Sequence, residues 1–377
     1  MRIGIDASNL RKGGGRTHLV ELLRHADGNL GPVDRVAVWA SAETLSALPD
    51  RPWLERCHEP MLDGSLVQRT AWLTTRLVML ARSVDLVFAP GGFSLGLVRP
   101  RVVMSRNLLP FEPGEREAYG ASLTRARLEI LRRGQARSFA EADGVIFLNR
   151  YALDTVRAAM TRPPRRIAVI PHGIAERFHG VPRPARTLDE LTASAPLRLL
   201  YVSTVAPYKH QLEVIAAMRT LSSRIPIDLS LVGVADQSDY THEVMRAAIP
   251  DGLVGPRVRY RGAIGFDELH HAYNDAEIFV FASSCENMPN ILLEAMSNGL
   301  PIACARRGPM PEMLGDAGEY FDPQDPGQIA EAVWALVRDP ERRVEVAARA
   351  AARARPFTWE RCARDTFRFL AEVAAAA

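Results

Sequence analysis

The sequence predicts an α/β protein made of two doubly wound domains, each a parallel sheet covered by helices. Three observations support this class. Short runs of β-branched and aliphatic residues alternate with longer amphipathic stretches along the chain. A segment at 176–196, rich in proline, arginine and small residues, interrupts this alternation once. At 377 residues, the chain is too long for one ordinary hydrophobic core.

The elements follow in order along the chain. In the first half, strands are predicted at residues 2–7, 35–39, 86–89, 101–105, 144–148 and 167–170, with helices at 17–25 and 123–141. They define an N-terminal domain at 1–175, followed by a linker at 176–196. In the second half, strands at 198–202, 228–232, 258–261, 278–282 and 301–303 define a domain at 197–359. A final amphipathic helix within 360–377 is expected to pack back onto the first domain. Ligands bind such folds at the carboxyl ends of the strands, so we expect a cleft between the two domains.

Composition excludes several classes of protein. With 47% hydrophobic and 24% charged residues, the chain is typical of globular proteins, and it has no apolar run long enough to span a bilayer. The first strand begins at once, without a signal-peptide core, and we therefore expect a cytoplasmic protein. The four cysteines lie far apart and the histidines lack ligand spacing, which argues against a disulfide framework or a metal site. A net charge of +3 is too small to indicate nucleic-acid binding.

Lysine is rare in this chain. Of 47 basic residues only Lys12 and Lys209 are lysines, and a coding bias toward arginine explains the imbalance. Both lysines nevertheless lie in loops that follow predicted strands, where phosphate is expected. Lys209 ends the loop after the strand at 198–202, and it is either a solvated loop residue or a point charge for phosphate oxygens.

The most informative segment is residues 278–301. It combines a buried strand, a polar turn, a helix with proline in its first turn, and an Asn298-Gly299 cap. A helix N-terminus at such a place offers free N–H groups and a positive dipole end to an anion. Glu286 and Glu294 stand eight residues apart. Glu294, in an otherwise apolar helix, is either a solvated position or an acceptor for vicinal hydroxyls.

This segment resembles the E-x7-E motif of retaining GT-B glycosyltransferases, in particular family 4, the glycosyl transferases group 1. The resemblance covers most of the chain and is strongest over residues 200–321. It implies that Glu286 is catalytic and contacts the donor sugar, and that Glu294 binds the ribose hydroxyls. The other donor-binding residues it implies are Asn287, Met288, Asn290 and Ile291 around the helix start, and Ile264 in the strand and turn for the base.

Two further loops carry the same resemblance. The segment ending at Lys209 resembles the family's G-R-x4-K element, and it makes Lys209 a catalytic cation for the leaving diphosphate. Thr204 stands where an arginine is usual, and the resemblance places it among the donor-binding residues. The triplet Gly13, Gly14 and Gly15 after the first strand resembles the family's Gly-rich loop, which closes over the donor phosphates.

The chain departs from the family pattern at other positions. Arg106 and Asn107 replace a His-Asp pair. Neither is a general base at neutral pH, and we expect them to hold a sugar hydroxyl or an acceptor anion. Pro289 replaces a glycine and removes one amide donor. No D-x-D triplet occurs in the sequence, so we expect a metal-independent enzyme without a cofactor, in which lysine and a helix dipole stabilise the leaving group.

The resulting hypothesis is a retaining transfer of sugar from a nucleoside-diphosphate sugar to a glycan, lipid-linked or small-molecule hydroxyl, in cell-surface polysaccharide or lipid-linked glycan assembly. Three alternatives stay open: a natural-product glycosyltransferase, another GT-B enzyme such as a nucleotide-sugar epimerase, and a non-catalytic binding protein of the same fold. The arginines of the helix at 123–141 are either a solvated face or a peripheral contact with the inner face of a membrane.

Overall fold

The computed structural model describes residues 1–11, 13–249 and 257–377. It divides into two compact units. The first contains Met1–Gly173 and Phe357–Ala377, and the second contains Ile174–Pro356.

Within the described residues, the first unit has a seven-stranded parallel sheet in the order β3-β2-β1-β4-β5-β6-β7. Its elements up to residue 173 are β1 (Arg2–Asp6), α1 (Gly14–Arg24), β2 (Arg35–Ala40), α2 (Ala42–Ser46), β3 (Leu54–His58), α3 (Leu66–Thr74), α4 (Arg76–Leu80), β4 (Leu86–Ala89), β5 (Arg101–Met104), α5 (Pro113–Ala118), α6 (Leu123–Glu141), β6 (Gly144–Phe147), α7 (Arg150–Arg157) and β7 (Ile167–Val169).

The second unit has a six-stranded parallel sheet in the order β10-β9-β8-β11-β12-β13, again within the described residues. Its elements are β8 (Leu197–Val202), α8 (Gln211–Leu221), β9 (Ile227–Val232), α9 (Asp239–Ala247), β10 (Arg257–Tyr260), α10 (Leu269–Asp275), β11 (Ile278–Phe281), α11 (Asn290–Ser297), β12 (Ile302–Ala305), α12 (Met310–Leu314), β13 (Glu319–Phe321), α13 (Pro326–Val337) and α14 (Pro340–Ala354). The last helix, α15 (Trp359–Ala375), belongs to the first unit.

The central strands explain why the α/β class could be predicted. In β11, all four side chains from Ile278 to Phe281 are fully buried. A parallel strand covered by helices on both faces must be apolar throughout, which produces the continuous hydrophobic runs seen in the sequence.

Two strands escaped the sequence prediction, and both lie at sheet edges. The strand β3 reads Leu-Glu-Arg-Cys-His and is only partly buried, and β13 has three residues. Because an edge strand pairs on one side only and is less completely covered, its sequence does not need to be apolar. The sheets therefore have seven and six strands, where six and five had been expected.

Residues 176–196, expected as a linker, are packed into the second unit. The Gly180 N–H donates to the Ser297 carbonyl at 3.0 Å, and Arg183 Nη1 donates to the Ala276 carbonyl at 2.9 Å. Gly299 makes this packing possible. It adopts φ 75°, and a Cβ there would lie 2.7 Å from the Pro182 nitrogen. The irregular composition thus reflects an extended segment lying on a domain surface.

The final helix packs onto the first unit. It contacts α1, β4 and β5. Val373 and Phe369 close over Gly144, where an added Cβ would lie 2.9 Å from Val373 Cγ2. At the start of the helix, Trp359 packs against Gly173. The cleft expected between the two domains stays a prediction.

Candidate functional site

The second sheet reverses its strand order between β8 and β11. From β8 the chain proceeds outward to β9 and β10, and it then returns to add β11, β12 and β13 on the other side. The loops that follow β8 and β11 therefore leave neighbouring strands in opposite directions, which opens a crevice at their carboxyl ends. Lys209 and Glu286 lie on these two loops.

The loop after β8 aims Lys209 by means of a tight turn. Pro207–Lys209 forms one 3-10 turn, and His210 then adopts the left-handed conformation at φ 53° and ψ 39°. The Tyr201 hydroxyl donates to the Lys209 carbonyl and fixes the turn to β8. A left-handed conformation is unusual for a residue with a side chain and is found where surrounding structure enforces it.

Lys209 and Glu286 form a buried ion pair. Lys209 Nζ donates to Glu286 Oε1, and the two side chains are 8% and 15% exposed. Nζ also lies 5.0 Å from the centre of the Tyr208 ring. Burial by itself lowers the pKa of a lysine, but the charge of the Glu286 carboxylate and its hydrogen bond outweigh burial and raise the pKa of Lys209. The ammonium group is therefore charged at every physiological pH.

Hydrogen bonds of Ser284 and His210 join the loop after β8 to the loop after β11. The Ser284 N–H donates to the Tyr208 carbonyl at 2.9 Å, and the Ser284 hydroxyl lies 2.9 Å from His210 Nε2. Gln211 adds a second brace, because its Nε2 donates to Ser203 Oγ and to the Thr204 carbonyl, both at 2.9 Å. The Ser284 bonds therefore connect the loops that carry Lys209 and Glu286, whereas the Gln211 bonds hold the loop after β8 to itself. The sequence contained the signal, since His210 and Gln211 directly follow Lys209.

The helix α11 begins beside this pair. It starts at Asn290, so Pro289 occupies the position before the helix and not its first turn, as had been expected. Among the described residues, no side chain caps this N-terminus. Met288 and Asn287 are buried, and Asn290 and Ile291 are half-buried. The four residues predicted around the helix start are therefore grouped next to Glu286, at a positive dipole end.

Glu294 is buried inside α11 and is not a solvated helix position. It is 8% exposed, and its Oε2 accepts a 2.8 Å hydrogen bond from the Tyr273 hydroxyl. Burial raises the pKa of Glu294 to about 7, although the Tyr273 hydrogen bond and the Arg177 charge oppose this rise. Tyr273, from α10, was not identified as the partner of Glu294, because sequence spacing does not reveal which helices pack together.

The remaining predicted donor residues of the second unit lie on loops. Thr204 is exposed in the loop after β8, and its carbonyl is the one that accepts from Gln211. Ile264 is half-buried in the turn that follows β10.

In the first unit, the Gly-rich loop and Arg106 are brought together. Arg106 Nη2 donates to the Gly14 carbonyl at 2.9 Å. Gly13 adopts φ 68°, a conformation that favours glycine, and a Cβ on Gly15 would lie 2.9 Å from Leu10 Cδ2. Asn107 is exposed, and its Oδ1 accepts from the Leu109 N–H at 3.1 Å. Lys12 lies outside the described residues.

A buried pair of histidines in the first unit was missed by the sequence analysis. His18 Nδ1 and His172 Nδ1 lie 2.6 Å apart, and both rings contact Trp359. Burial lowers the pKa of both histidines well below the ordinary value, and Arg106 adds to this effect. One neutral imidazole must therefore donate to the other. Residues 154 positions apart give no sequence signal of such a contact.

Two kinds of site are absent from the residues that the structure describes. No three His, Cys, Asp or Glu side chains there are grouped so that they could hold a metal ion. None of the helices described is long and apolar enough to cross a membrane.

The part of the chain that contains these residues is similar to known proteins. Residues 196–339 match the family model described as Glycosyl transferases group 1. This range contains Lys209, Glu286 and Glu294.

Curated relatives match over part of their length. The O-antigen chain mannosyltransferase B of Escherichia coli is 31% identical over 169 residues, which cover 44% of this chain and 44% of the relative. The GDP-mannose-dependent alpha-(1-6)-phosphatidylinositol monomannoside mannosyltransferase of Mycolicibacterium smegmatis is 29% identical over 240 residues, covering 59% of this chain and 60% of the relative. The chain thus spans about half the length of the curated relatives it matches.

Solved structures match over the whole chain and show the GT-B fold. Sucrose-phosphate synthase from Thermosynechococcus elongatus gives a TM-score of 0.76 at 18% identity, with 100% of both chains covered. Alr3699/HepE from Anabaena, solved in complex with UDP-glucose, gives a TM-score of 0.73 at 17% identity, also with 100% of both chains covered. The solved structures thus show the GT-B fold, and the family model and the two curated relatives are those of glycosyltransferases.

Proposed function

We propose that this chain is a retaining, metal-independent glycosyltransferase that moves a sugar from a nucleoside-diphosphate sugar to an acceptor hydroxyl. One observation carries the proposal: the buried Lys209–Glu286 ion pair at the strand-order reversal of the second sheet, beside the uncapped start of α11. A cation, an acid and a helix N-terminus on one crevice suit a sugar that is linked to a diphosphate.

The ion pair suggests how the donor is bound. The donor diphosphate would compete with Glu286 for the Lys209 ammonium group, and the released carboxylate would accept hydrogen bonds from the sugar hydroxyls. In the transfer, the bond between the anomeric carbon and the diphosphate oxygen breaks. A bond from the acceptor oxygen forms on the same face of the sugar. The acceptor proton leaves with the diphosphate, whose growing negative charge Lys209 and the α11 dipole stabilise.

Glu294 is suited to the ribose of the donor. The Tyr273 hydroxyl holds Oε2, which leaves Oε1 to accept from a ribose hydroxyl. A carboxylate at this position resembles the acid that binds ribose in dinucleotide folds. Thr204 and Ile264 would line the same donor site. The sequence resemblance assigns Gly13, Gly14 and Gly15 to the donor, and Arg106 and Asn107 to a sugar or the acceptor.

Cell-surface polysaccharide or lipid-linked glycan is the acceptor class that we favour. The names of the two mannosyltransferase relatives refer to O-antigen chains and to a phosphatidylinositol mannoside. In α6, Leu123 and Ile130 are 90% and 72% exposed. Exposed arginines lie on the same helix, although Arg133 and Arg137 pair with acids of α6 itself. An amphipathic basic helix of this kind would hold the enzyme at an anionic membrane surface.

Flotation with vesicles tests the membrane contact. Vesicles that contain phosphatidylglycerol should carry the protein at low salt, whereas uncharged vesicles should not. Replacement of Leu123 and Ile130 by serine should abolish flotation without a change in melting temperature. Flotation that is equal for both vesicle types would rule out the electrostatic part of the proposal.

A thermal-shift panel of UDP-, GDP- and dTDP-sugars tests the donor class, because a bound donor raises the melting temperature. Turnover with the stabilising donor is then measured for Lys209→Ala, with Arg338→Ala at the exposed end of α13 as the matched control. We expect the Lys209 variant to lose roughly two to four orders of magnitude in turnover, and the control to lose none. A non-catalytic binding protein would show donor binding without turnover in the unmodified chain.

A further inference from the structure

A small cavity lies at the opposite end of the second sheet from Lys209 and Glu286. Its volume is about 160 Å³, and its described lining includes four arginines and a single carboxylate, namely Arg183, Arg186, Arg198, Arg343 and Glu277. Arg198 is the second residue of β8, and Glu277 immediately precedes β11. Both therefore lie at the amino-terminal edge of the sheet, whereas the proposed donor site lies at its carboxyl edge.

The single carboxylate is already bound. Arg186 Nε donates to Glu277 Oε1 at 2.7 Å, and Arg186 Nη2 pairs with Oε2 of the same group. Arg198 approaches the same carboxylate, with 3.4 Å between its Nε and Oε2. One negative charge thus serves two guanidinium groups, and the positive charges of Arg183 and Arg343 are left without an acidic side chain in the cavity lining.

Arg343 is the most unusual of these residues. It extends from α14 and is 2% exposed. Its Nη2 donates to the Arg186 carbonyl, which clamps the segment around residue 186 onto the helix. Its Nη1 is buried as well, and it has no hydrogen-bond partner among the residues that the structure describes. A buried guanidinium N–H without an acceptor is costly, so an acceptor from outside the chain is expected at this nitrogen.

The residues and the volume of the cavity indicate which kind of acceptor fits there. Arginine forks bind oxyanions, and phosphate above all, through paired N–H donors. A volume of about 160 Å³ is well below that of ordinary pockets for larger organic ligands. Pro184, Leu300 and Ala347 close the walls with apolar surface. These features favour a compact anion over a whole nucleotide.

We propose that this cavity, the Arg343 cavity, is a second anion site of the protein that binds phosphate or the phosphate group of a small phosphomonoester. Arg343 Nη1 and the Arg198 guanidinium would donate to the phosphate oxygens, while Arg186 stays paired with Glu277. The site is independent of the donor site, and the inference does not rest on the proposed transferase activity.

Calorimetric titration with inorganic phosphate tests the proposal in the full chain. We expect one molecule of phosphate to bind per chain at this cavity, and Arg343→Gln to remove that binding. Arg198→Gln should weaken it at least roughly tenfold, because one of two charge-assisted contacts is lost. Arg338→Gln, a loss of one charge outside the cavity lining, should leave it unchanged, as should Lys209→Ala. Failure of phosphate to bind at about 10 mM, or equal binding by all variants, overturns the proposal.

A stability control accompanies the titration. Arg343 also clamps the segment around residue 186, so the melting temperature of its variant is measured and should be unchanged. If that variant unfolds, the result for Arg198→Gln decides whether the site exists, because the Arg198 side chain is 59% exposed and its loss should not unfold the chain. Crystals soaked in tungstate then locate the anion. A peak between Arg343 and Arg198 supports the site, and peaks confined to Lys209 refute it. A parallel titration with a hexose 6-phosphate distinguishes a phosphomonoester, which should bind more tightly, from free phosphate as the natural occupant.

Discussion

The two units share a topology, but the side chains buried at the carboxyl edge of the sheet are charged in one unit and neutral in the other. Both sheets reverse their strand order beside the first strand of the unit, at β1 and β4 in one and at β8 and β11 in the other. In the second unit this edge holds a buried pair of opposite charges, Lys209 and Glu286. In the first unit the corresponding edge holds two buried histidines, whose lowered pKa values keep them neutral.

The difference would let one architecture serve two tasks under the proposed function. A buried ion pair keeps full charges in a low-dielectric site, where an incoming diphosphate can exchange with one partner. The neutral imidazoles, which contact the Trp359 ring, instead place no charge at their edge. The donor chemistry is therefore expected from the second unit.

Among the changes that test this comparison, Glu286→Gln should have the largest effect, because it removes the charge and keeps the shape. Turnover should fall about 100-fold or more, because the sugar loses its carboxylate acceptor. Affinity for the nucleoside diphosphate should rise, since a neutral amide no longer competes for Lys209. Initial rates and calorimetry with the diphosphate measure the two effects separately. A parallel loss of both would show that the pair acts only as a structural link.

The histidine pair should destabilise the first unit in acid. The folded pKa values lie below 6.5, so the unfolded chain binds more protons once the pH falls below that value. Stability is then lost with falling pH by about 1.4 kcal/mol per pH unit for each histidine. Urea unfolding of His172→Asn between pH 7 and pH 5 should show a shallower decline than the unmodified chain. His242→Asn, a change at an exposed histidine, should leave the profile as it is.

Glu294 should act in the opposite direction. Its folded pKa of about 7 exceeds the ordinary value of 4.5, so its contribution is complete below pH 4.5 and is lost as the pH rises to 7. The stability difference between the unmodified chain and Glu294→Gln should shrink by about 3 kcal/mol across that range. Unfolding free energies measured at several pH values check this. A difference that is constant with pH would mean that the carboxyl group ionises normally.

The smallest effect is a gain of function. Thr204 is exposed in the loop after β8, beside the proposed donor site, and it stands where the pattern of the resembled family has arginine. Thr204→Arg should tighten binding of the donor or its diphosphate by roughly fivefold, which is the order of ~1 kcal/mol that one partly screened charge contributes. Thr204→Gln serves as the control of similar length. Equal affinities for both variants would place Thr204 away from the diphosphate.

Elements with a local sequence signal could be predicted, and those that depend on distant contacts could not. The buried strands, the helix α6 and the Asn298-Gly299 end of α11 could be predicted, because the period of the hydrophobic pattern and the cap residues are local signals. The edge strands β3 and β13 could not, since incomplete cover removes the apolar run. The sequence predicts a linker at 176–196, because the hydrogen bonds that hold this segment go to residues about 100 positions away and leave no signal in the local sequence.

The sequence by itself determined the chemical types present: one described lysine, two acids spaced across a helix start, and glycine where φ must be positive. Only the tertiary structure decided which groups meet. The Lys209–Glu286 pair joins residues 77 apart, and the histidine pair joins residues 154 apart. Burial and pairing set the charge states of these groups, and both arise only when the strands and helices close around them.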